Sequence, residues 1–116
     1  MRHHNQNKKF GRTADERRAL FRSLAVALIE RGKIKTTEAK AKALRPFVEK
    51  LVTCARRGDL FSHRLISSRL GVLPATRKLI REIAPRYVKR SGGYTRLSKL
   101  PPRPSDGSRL AVIEFV

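Results

Sequence analysis

The stretch Gly32–Arg57, GKIKTTEAKAKALRPFVEKLVTCARR, constrains the fold more than any other part of the chain. Leu44, Phe47, Val48, Leu51 and Ala55 recur at the steps that line up one face of a helix, so that face belongs to a core. Thr37 is placed to cap the amino end by accepting an orphan backbone N–H. Arg56, Arg57 and Gly58 give the other end positive charge and a left-handed stop. Pro46 falls inside, where it removes the hydrogen bond to the Lys42 carbonyl and crowds that turn, which predicts a kink or a broken first half. Lys33, Lys35, Lys40, Lys42 and Arg45 stand before the stripe as a basic comb. The amino-terminal half reads as the charged working end and the other half as the anchor in the core.

The flanking segments supply partners for that helix. Thr13–Ala14–Asp15–Glu16 has the capping-box form and opens a first helix that Gly32 closes, with Leu20, Phe21, Leu24, Ala25 and Leu28 as its buried stripe. Lys33–Thr36 is a short strand with Ile34 pointing in and the lysines out. Asp59 caps a third helix that Gly71 ends, with Phe61 and Leu65 inward, joined by Ile66 or Leu70. Pro74 opens a fourth, whose apolar side is Leu79, Ile80 and Ile83 and which Ala84–Pro85 stops. Tyr94–Leu100 and Leu110–Val116 read as strands joined by a proline-rich loop, so they pair as a hairpin and admit Lys33–Thr36 as a third strand. The expected architecture is α+β: a single domain over residues 13–116, about four helices packed on one face of a small three-stranded sheet. A basic extended tail over 1–12 precedes it. That tail has only Phe10 to bury, is expected to be disordered when free, and reaches about 40 Å if extended.

Charge narrows the function. Lys plus Arg number 28 against 9 Asp plus Glu, a formal net charge of +19, and a chain that basic repels itself unless a polyanion neutralises it. Nucleic acid is the expected partner. No apolar run approaches the roughly 18–20 residues that span a bilayer, so no membrane association is expected. The polar start lacks an apolar signal-peptide core. The lone Cys54 excludes an internal disulfide, fits a reducing cytosol, and reads as a small core residue.

The candidate contacts follow from where the cations cluster. The tail carries Arg2, Lys8, Lys9 and Arg12, and the first helical turns carry Arg17, Arg18 and Arg22, where the helix dipole opposes them unless an anion is close. Lys33, Lys35, Lys40, Lys42 and Arg45 are candidate phosphate clamps. Arg86–Lys99, RYVKRSGGYTRLSK, holds five basic residues and no acid; Arg86, Lys89, Arg90 and Arg96 are candidates to hold a second RNA segment. Gly92–Gly93 fits a tight turn or close approach to a sugar-phosphate chain. Tyr87 and Tyr94 fit stacking on unpaired bases or packing with the phenol at the rim.

Chemistry has little to stand on here. The acids are scattered singly, and there is no Walker loop, dinucleotide fingerprint, HExxH or Cys cluster. His63 alone is a poor base. The chain is expected to be no enzyme, with no cofactor, no small-molecule substrate and no metal. A copper or nickel grip by His3 and His4 at the amino terminus has no further ligands to support it. A rival reading takes the third and fourth helices as a helix-turn-helix with Arg77, Lys78 and Arg81 on the second, in a DNA-binding regulatory or nucleoid-associated protein.

Several runs resemble the bacterial large-subunit ribosomal protein family L17. They are Met1–Arg2–His3 with Lys8–Lys9–Phe10–Gly11–Arg12, Arg18–Ala19–Leu20–Phe21–Arg22, and Gly32–Lys33–Ile34–Lys35–Thr36–Thr37 with Ala39–Lys40–Ala41–Lys42 and Leu44–Arg45. Ala84–Pro85–Arg86–Tyr87 with Arg90, Gly92–Gly93–Tyr94–Thr95–Arg96, and Ala111–Val112–Ile113–Glu114 follow in order. The resemblance covers nearly the whole chain. It implies an α+β structural protein of the large subunit, cytoplasmic and ribosome-bound, without catalysis or cofactor. It also implies contact with large-subunit ribosomal RNA and neighbouring large-subunit proteins, on the solvent side near the mouth of the peptide exit tunnel. His3 and Thr36 join the candidate RNA contacts through these matching runs. Deleting Met1–Arg12 is expected to weaken incorporation into large subunits far more than it lowers the melting temperature; equal loss of both would refute a tail that acts mainly on RNA.

Overall fold

Capping decides where the three long helices start and stop. The computed structural model describes residues 10–116. Thr13 opens α1 (Ala14–Arg31) by accepting the Glu16 N–H at 3.2 Å, and Gly32, in the left-handed region, closes it. The chain passes straight into β1 (Lys33–Thr37). Thr37 then caps α2 (Glu38–Arg57), accepting from the Lys40 N–H at 3.4 Å. Gly58 ends α2, and Asp59, one residue on, caps α3 (Leu60–Leu70) by accepting the Ser62 N–H at 2.7 Å. After α4 (Leu73–Lys78), β2 (Thr95–Leu100) and β3 (Leu110–Phe115) complete the chain.

The sheet has the order β1–β3–β2 and is antiparallel throughout. Its most apolar strand, LAVIEF, takes the centre, where both neighbours shield it. Ile113 stands opposite Ile34 on one side and Leu97 on the other, so this row points to the helices. The alternate row, Lys33–Glu114–Arg96, points away from them. Ile34, Ala111 and Ile113 bury against a face of α2 made by Ala41, Leu44, Val48, Leu51, Val52 and Ala55, with Ala25, Leu28 and Ile29 of α1 in the same cluster. Each fully buried Leu, Ile or Val of this set contributes about 1.5–3 kcal/mol relative to its exposed state. The expected α+β arrangement of four helices with a three-stranded sheet is the one observed.

Three details differ from the sequence reading. Helix α2 is unbroken through Pro46, which removes the broken first half and leaves the kink as the alternative, and its buried face extends on both sides of the proline, to Ala41 and Glu38 before and Ala55 after. The proline ring lies on the exposed side, so the lost hydrogen bond does not interrupt the packed face. The division into a charged half and a core half therefore does not hold. In α3 the buried row is Ser62, Ile66 and Leu70, whereas Phe61 is 72 % exposed and Leu65 half-buried. Apolar counting favours the row with Phe61, but the two-residue connection folds α3 tightly back on α2. The Cys54 Sγ comes to 3.7 Å from the Ser62 carbonyl, a close approach that suits a serine.

Nor does Ala84–Pro85 stop the fourth helical segment. A π-helical turn over Leu79–Ile83, in which the Ala84 N–H reaches the Leu79 carbonyl, leads into a 3₁₀ turn over Ala84–Tyr87. Pro85 sits at the start of that turn, where a missing N–H costs least.

Replacing Pro46 by Ala restores the missing donor on an exposed helix surface. Pro46→Ala is expected to raise the unfolding free energy by up to about 3 kcal/mol, read from urea denaturation midpoints at unchanged slope.

Candidate nucleic-acid interface

The uncovered face of the sheet gathers exposed fixed positive charge around a single acid, Glu114. Strand alternation sends Lys33 and Lys35 of β1 to this face, roughly 6.6 Å apart along the strand, with Arg96 across the sheet in register with Lys33. All three are exposed. Glu114 lies between Lys33 and Arg96 in the ladder, with its carboxylate 3.8 Å from the Arg96 guanidinium. Thr36 falls on the opposite row with Ala111 and Lys99, half-buried toward the helices, so it is not part of this surface.

The basic comb is divided. Helix α2 packs on the Ile34 side, which places Lys40, Lys42 and Arg45 on the other side of the sheet from Lys33 and Lys35. Lys42 donates to the Glu38 carboxylate at 2.9 Å, Lys99 approaches the same oxygen at 3.7 Å, and Arg45 lies 3.9 Å from Glu49. Lys40 is half-buried. The hydrogen bond from Lys42 holds the Glu38 carboxyl below the usual carboxylate range against the opposing effect of burial, with the charges of Lys42, Lys99 and Arg109 adding to the depression. Lys42 and Arg45 keep exposed outer surfaces, but each already has an acid beside it.

In the second basic segment the structure separates cations from rings. Arg86, Lys89 and Arg90 are exposed around the 3₁₀ turn and the chain after it. Tyr87 and Tyr94 are 3 % and 1 % exposed, with ring centroids 5.1 Å apart, so neither can stack on a base: both are core residues. The Tyr87 hydroxyl donates to the Val116 carbonyl at 2.6 Å, and burial pushes its pKa up. Burial also raises the Tyr94 phenol, but contacts with Thr53 and Arg56 outweigh it and the net direction is down. Gly92 and Gly93 both have positive φ, 103° and 63°, which side chains rarely adopt. They give the bend that returns the chain from this segment to β2.

Arg56, unremarked in the sequence beyond its place near a helix end, ties this region to α2. Its guanidinium donates to the Tyr94 hydroxyl at 2.8 Å and to the Val88 carbonyl at 3.0 Å. Glu49 works beside it: its Oε2 accepts the Tyr94 N–H at 3.2 Å and the Thr95 hydroxyl at 3.4 Å.

Arg2, His3, Lys8 and Lys9 lie outside the described residues. Phe10 packs edge-on against Phe21 with centroids 5.9 Å apart, and Phe21 leans on Phe47, so the start of the described chain is fastened to α1 and α2. Arg12 is exposed and its carbonyl accepts from the Arg17 guanidinium at 2.8 Å; Arg18 pairs with Asp15. Arg22 donates from Nε to the Arg69 carbonyl at 3.0 Å, placing a cation at the C-terminus of α3. It runs so close to Gly71 that a Cβ there would meet it at 3.3 Å. Arg18, Arg22 and Arg69 converge with Phe21, Phe47 and Ser68 around a cavity of about 390 Å³. A second cavity, about 370 Å³, lies between α2 and α3, with Lys50, Arg57 and Arg69 on its walls. Lys50 and Arg57 stand seven residues apart, two turns along one helix face, a spacing the sequence reading did not use.

The helix-turn-helix reading loses a regular recognition helix, since the fourth segment passes into π-helical and then 3₁₀ turns after Lys78. Helix α4 is six residues long, Lys78 donates its ammonium to the Glu30 carbonyl at 2.8 Å, and Arg81 falls in the π-helical turn. Cys54 is half-buried beside the second cavity and not enclosed in the core. No cluster of metal-ligating side chains occurs among the described residues, and no helix of the described chain is long and apolar enough to cross a membrane.

These features define a small, strongly basic α+β domain whose compact interior leaves several cationic surfaces open. The family model described as Ribosomal protein L17 matches residues 20–116. Over 117 aligned residues the chain is 56 % identical to the large ribosomal subunit protein bL17 of Hydrogenobaculum sp. (strain Y04AAS1), covering all of this chain and 99 % of that protein. Its identity to the bL17 proteins of Helicobacter hepaticus (strain ATCC 51449 / 3B1) and Helicobacter pylori (strain Shi470) is 50 % and 51 %, over the full length of each. The chain belongs to the ribosomal protein L17 family and is a structural protein, not an enzyme.

Because the Glu38 pKa is depressed on folding, its contribution to stability is complete above the ordinary glutamate value of about 4.3 and is lost as pH falls through the lowered folded value. The stability difference between wild type and Glu38→Gln, measured by urea unfolding, is expected to be constant near neutrality and to shrink as pH falls below about 4.3. A difference that does not change with pH would remove Glu38 from this role.

Proposed function

We propose that the protein is a structural constituent of the large ribosomal subunit, bound to large-subunit ribosomal RNA in the cytoplasm, near the mouth of the peptide exit tunnel and beside other large-subunit proteins. The observation that carries the RNA contact is the uncovered sheet face, where Lys33, Lys35 and Arg96 stand together with Glu114 as the one acid in their row. The net charge of +19 and full-length similarity to relatives named as large-subunit proteins support it.

The division of labour follows from the geometry. The sheet face presents its cations at strand spacing, suited to successive phosphates. Arg18, Arg22 and Arg69 form a second point of attachment, and Arg86, Lys89 and Arg90 a third. The tail residues Arg2, His3, Lys8, Lys9 and Arg12 thread between RNA segments. Shape and backbone charge, not base identity, dominate such contacts.

Counterion release makes the proposal measurable. Lys33→Gln with Lys35→Gln is expected to reduce the slope of log affinity against log salt for a large-subunit RNA transcript by about 1.4–1.8. An unchanged slope would move the interface off the sheet.

A further inference from the structure

The groove between α2 and α3 has the size and chemistry for one small ligand of nucleotide type, and an exposed ring stands one helical turn from its wall. Its volume of about 370 Å³ is at the low end of the roughly 300–1,000 Å³ typical of ligand pockets. That is room for a single unit of a chain and not for a double helix. Leu51, Cys54 and Leu65 make an apolar floor, while Lys50, Arg57 and Arg69 supply three cations around it.

Phe61 lies one helical turn before Leu65 on the same face of α3 and is 72 % exposed, the one exposed aromatic ring among the described residues. Its neighbour Leu60 is 64 % exposed. An aromatic ring left in water one helical turn from a wall that carries cations is the combination that recognises an unstacked base with its phosphates.

Glu49 adds a polar contact on the groove wall. The Tyr94 N–H, the Thr95 hydroxyl and the Arg45 guanidinium all converge on its Oε2, and none of these contacts uses Oε1. A carboxylate oxygen there accepts the exocyclic amine of cytosine, adenine or guanine, which uracil lacks.

We infer that this groove holds one unpaired nucleotide of the bound RNA, its base stacked on Phe61 over Leu65 and Cys54 and its flanking phosphates on Lys50, Arg57 and Arg69. The inference rests on the ribosomal RNA reading above. It assigns the aromatic contact to Phe61, since the two tyrosines are enclosed.

The test compares the full chain with Phe61→Ala and Phe61→Trp in filter binding to a large-subunit RNA transcript, with melting temperatures measured alongside. Phe61→Ala is expected to weaken binding by about 5- to 150-fold, the effect of losing one base–aromatic stack. Its melting temperature should stay within error of wild type because the ring packs on little of the protein, and Phe61→Trp should bind as wild type does. Wild-type affinity for Phe61→Ala overturns the inference. If that variant also fails to enter large subunits, the groove receives a side chain of a neighbouring protein instead. Equal loss in both variants also overturns stacking. Failure of the wild-type chain to bind the transcript at low salt removes the RNA reading itself, an outcome distinct from the others.

Discussion

The contact between the apolar face of α2 and the inner row of the sheet is the one on which the remaining structure depends. Ile34, Ile113 and the half-buried Leu97 form that row, and α2 lays Ala41, Leu44, Val48, Leu51, Val52 and Ala55 in the same cluster. Helix α1 joins through Ala25, Leu28 and Ile29, and the tyrosine pair Tyr87–Tyr94 closes one side. A 20-residue helix gives enough length for all of these elements to find a place on one rod. Pro46 is tolerated because it faces solvent, where a missing backbone donor leaves water and not a packed neighbour to be satisfied.

The few acids in the chain stand mainly at points where structure needs a carboxylate. Asp59 caps α3, Glu49 fixes the entry to β2, Glu38 gathers Lys42 and Lys99, and Asp106 organises the loop before β3 by accepting from the Ser108 N–H and pairing with Arg103. With these acids engaged, the surplus positive charge remains on the open sheet face, around the α2–α3 groove and along the 3₁₀ turn. Self-repulsion of that surplus favours any state in which a polyanion supplies the counter-charge. The domain thus spends its acids on structure and is left externally unbalanced.

Local signals in the sequence were strong enough to locate the elements. Thr13, Thr37 and Asp59 all cap, Gly32, Gly58 and Gly71 all terminate, and the strand alternation around Ile34 was legible from its lysine neighbours. What stayed hidden depended on tertiary packing. Two apolar rows compete on α3, and only the tight α2–α3 turn selects Ser62–Ile66–Leu70 and turns Phe61 outward. Tyr87 and Tyr94 look alike as base-stacking rings or core rings until β2 and α2 enclose them. The lysines of β1 and α2 are neighbours in sequence, but the sheet stands between them. Lys50, Arg57 and Arg69 come together only when two helices fold back, so their cluster has no linear motif.

The sheet is open at both sides, since β1 and β2 each pair with β3 alone. Exposed strand margins are natural templates for a second chain. Lys33 and Lys35 on one margin and Arg96 and Lys99 on the other set like charges against like charges whenever two copies approach side by side. The same cations that suit an RNA backbone therefore also keep unassembled copies from growing into a shared sheet.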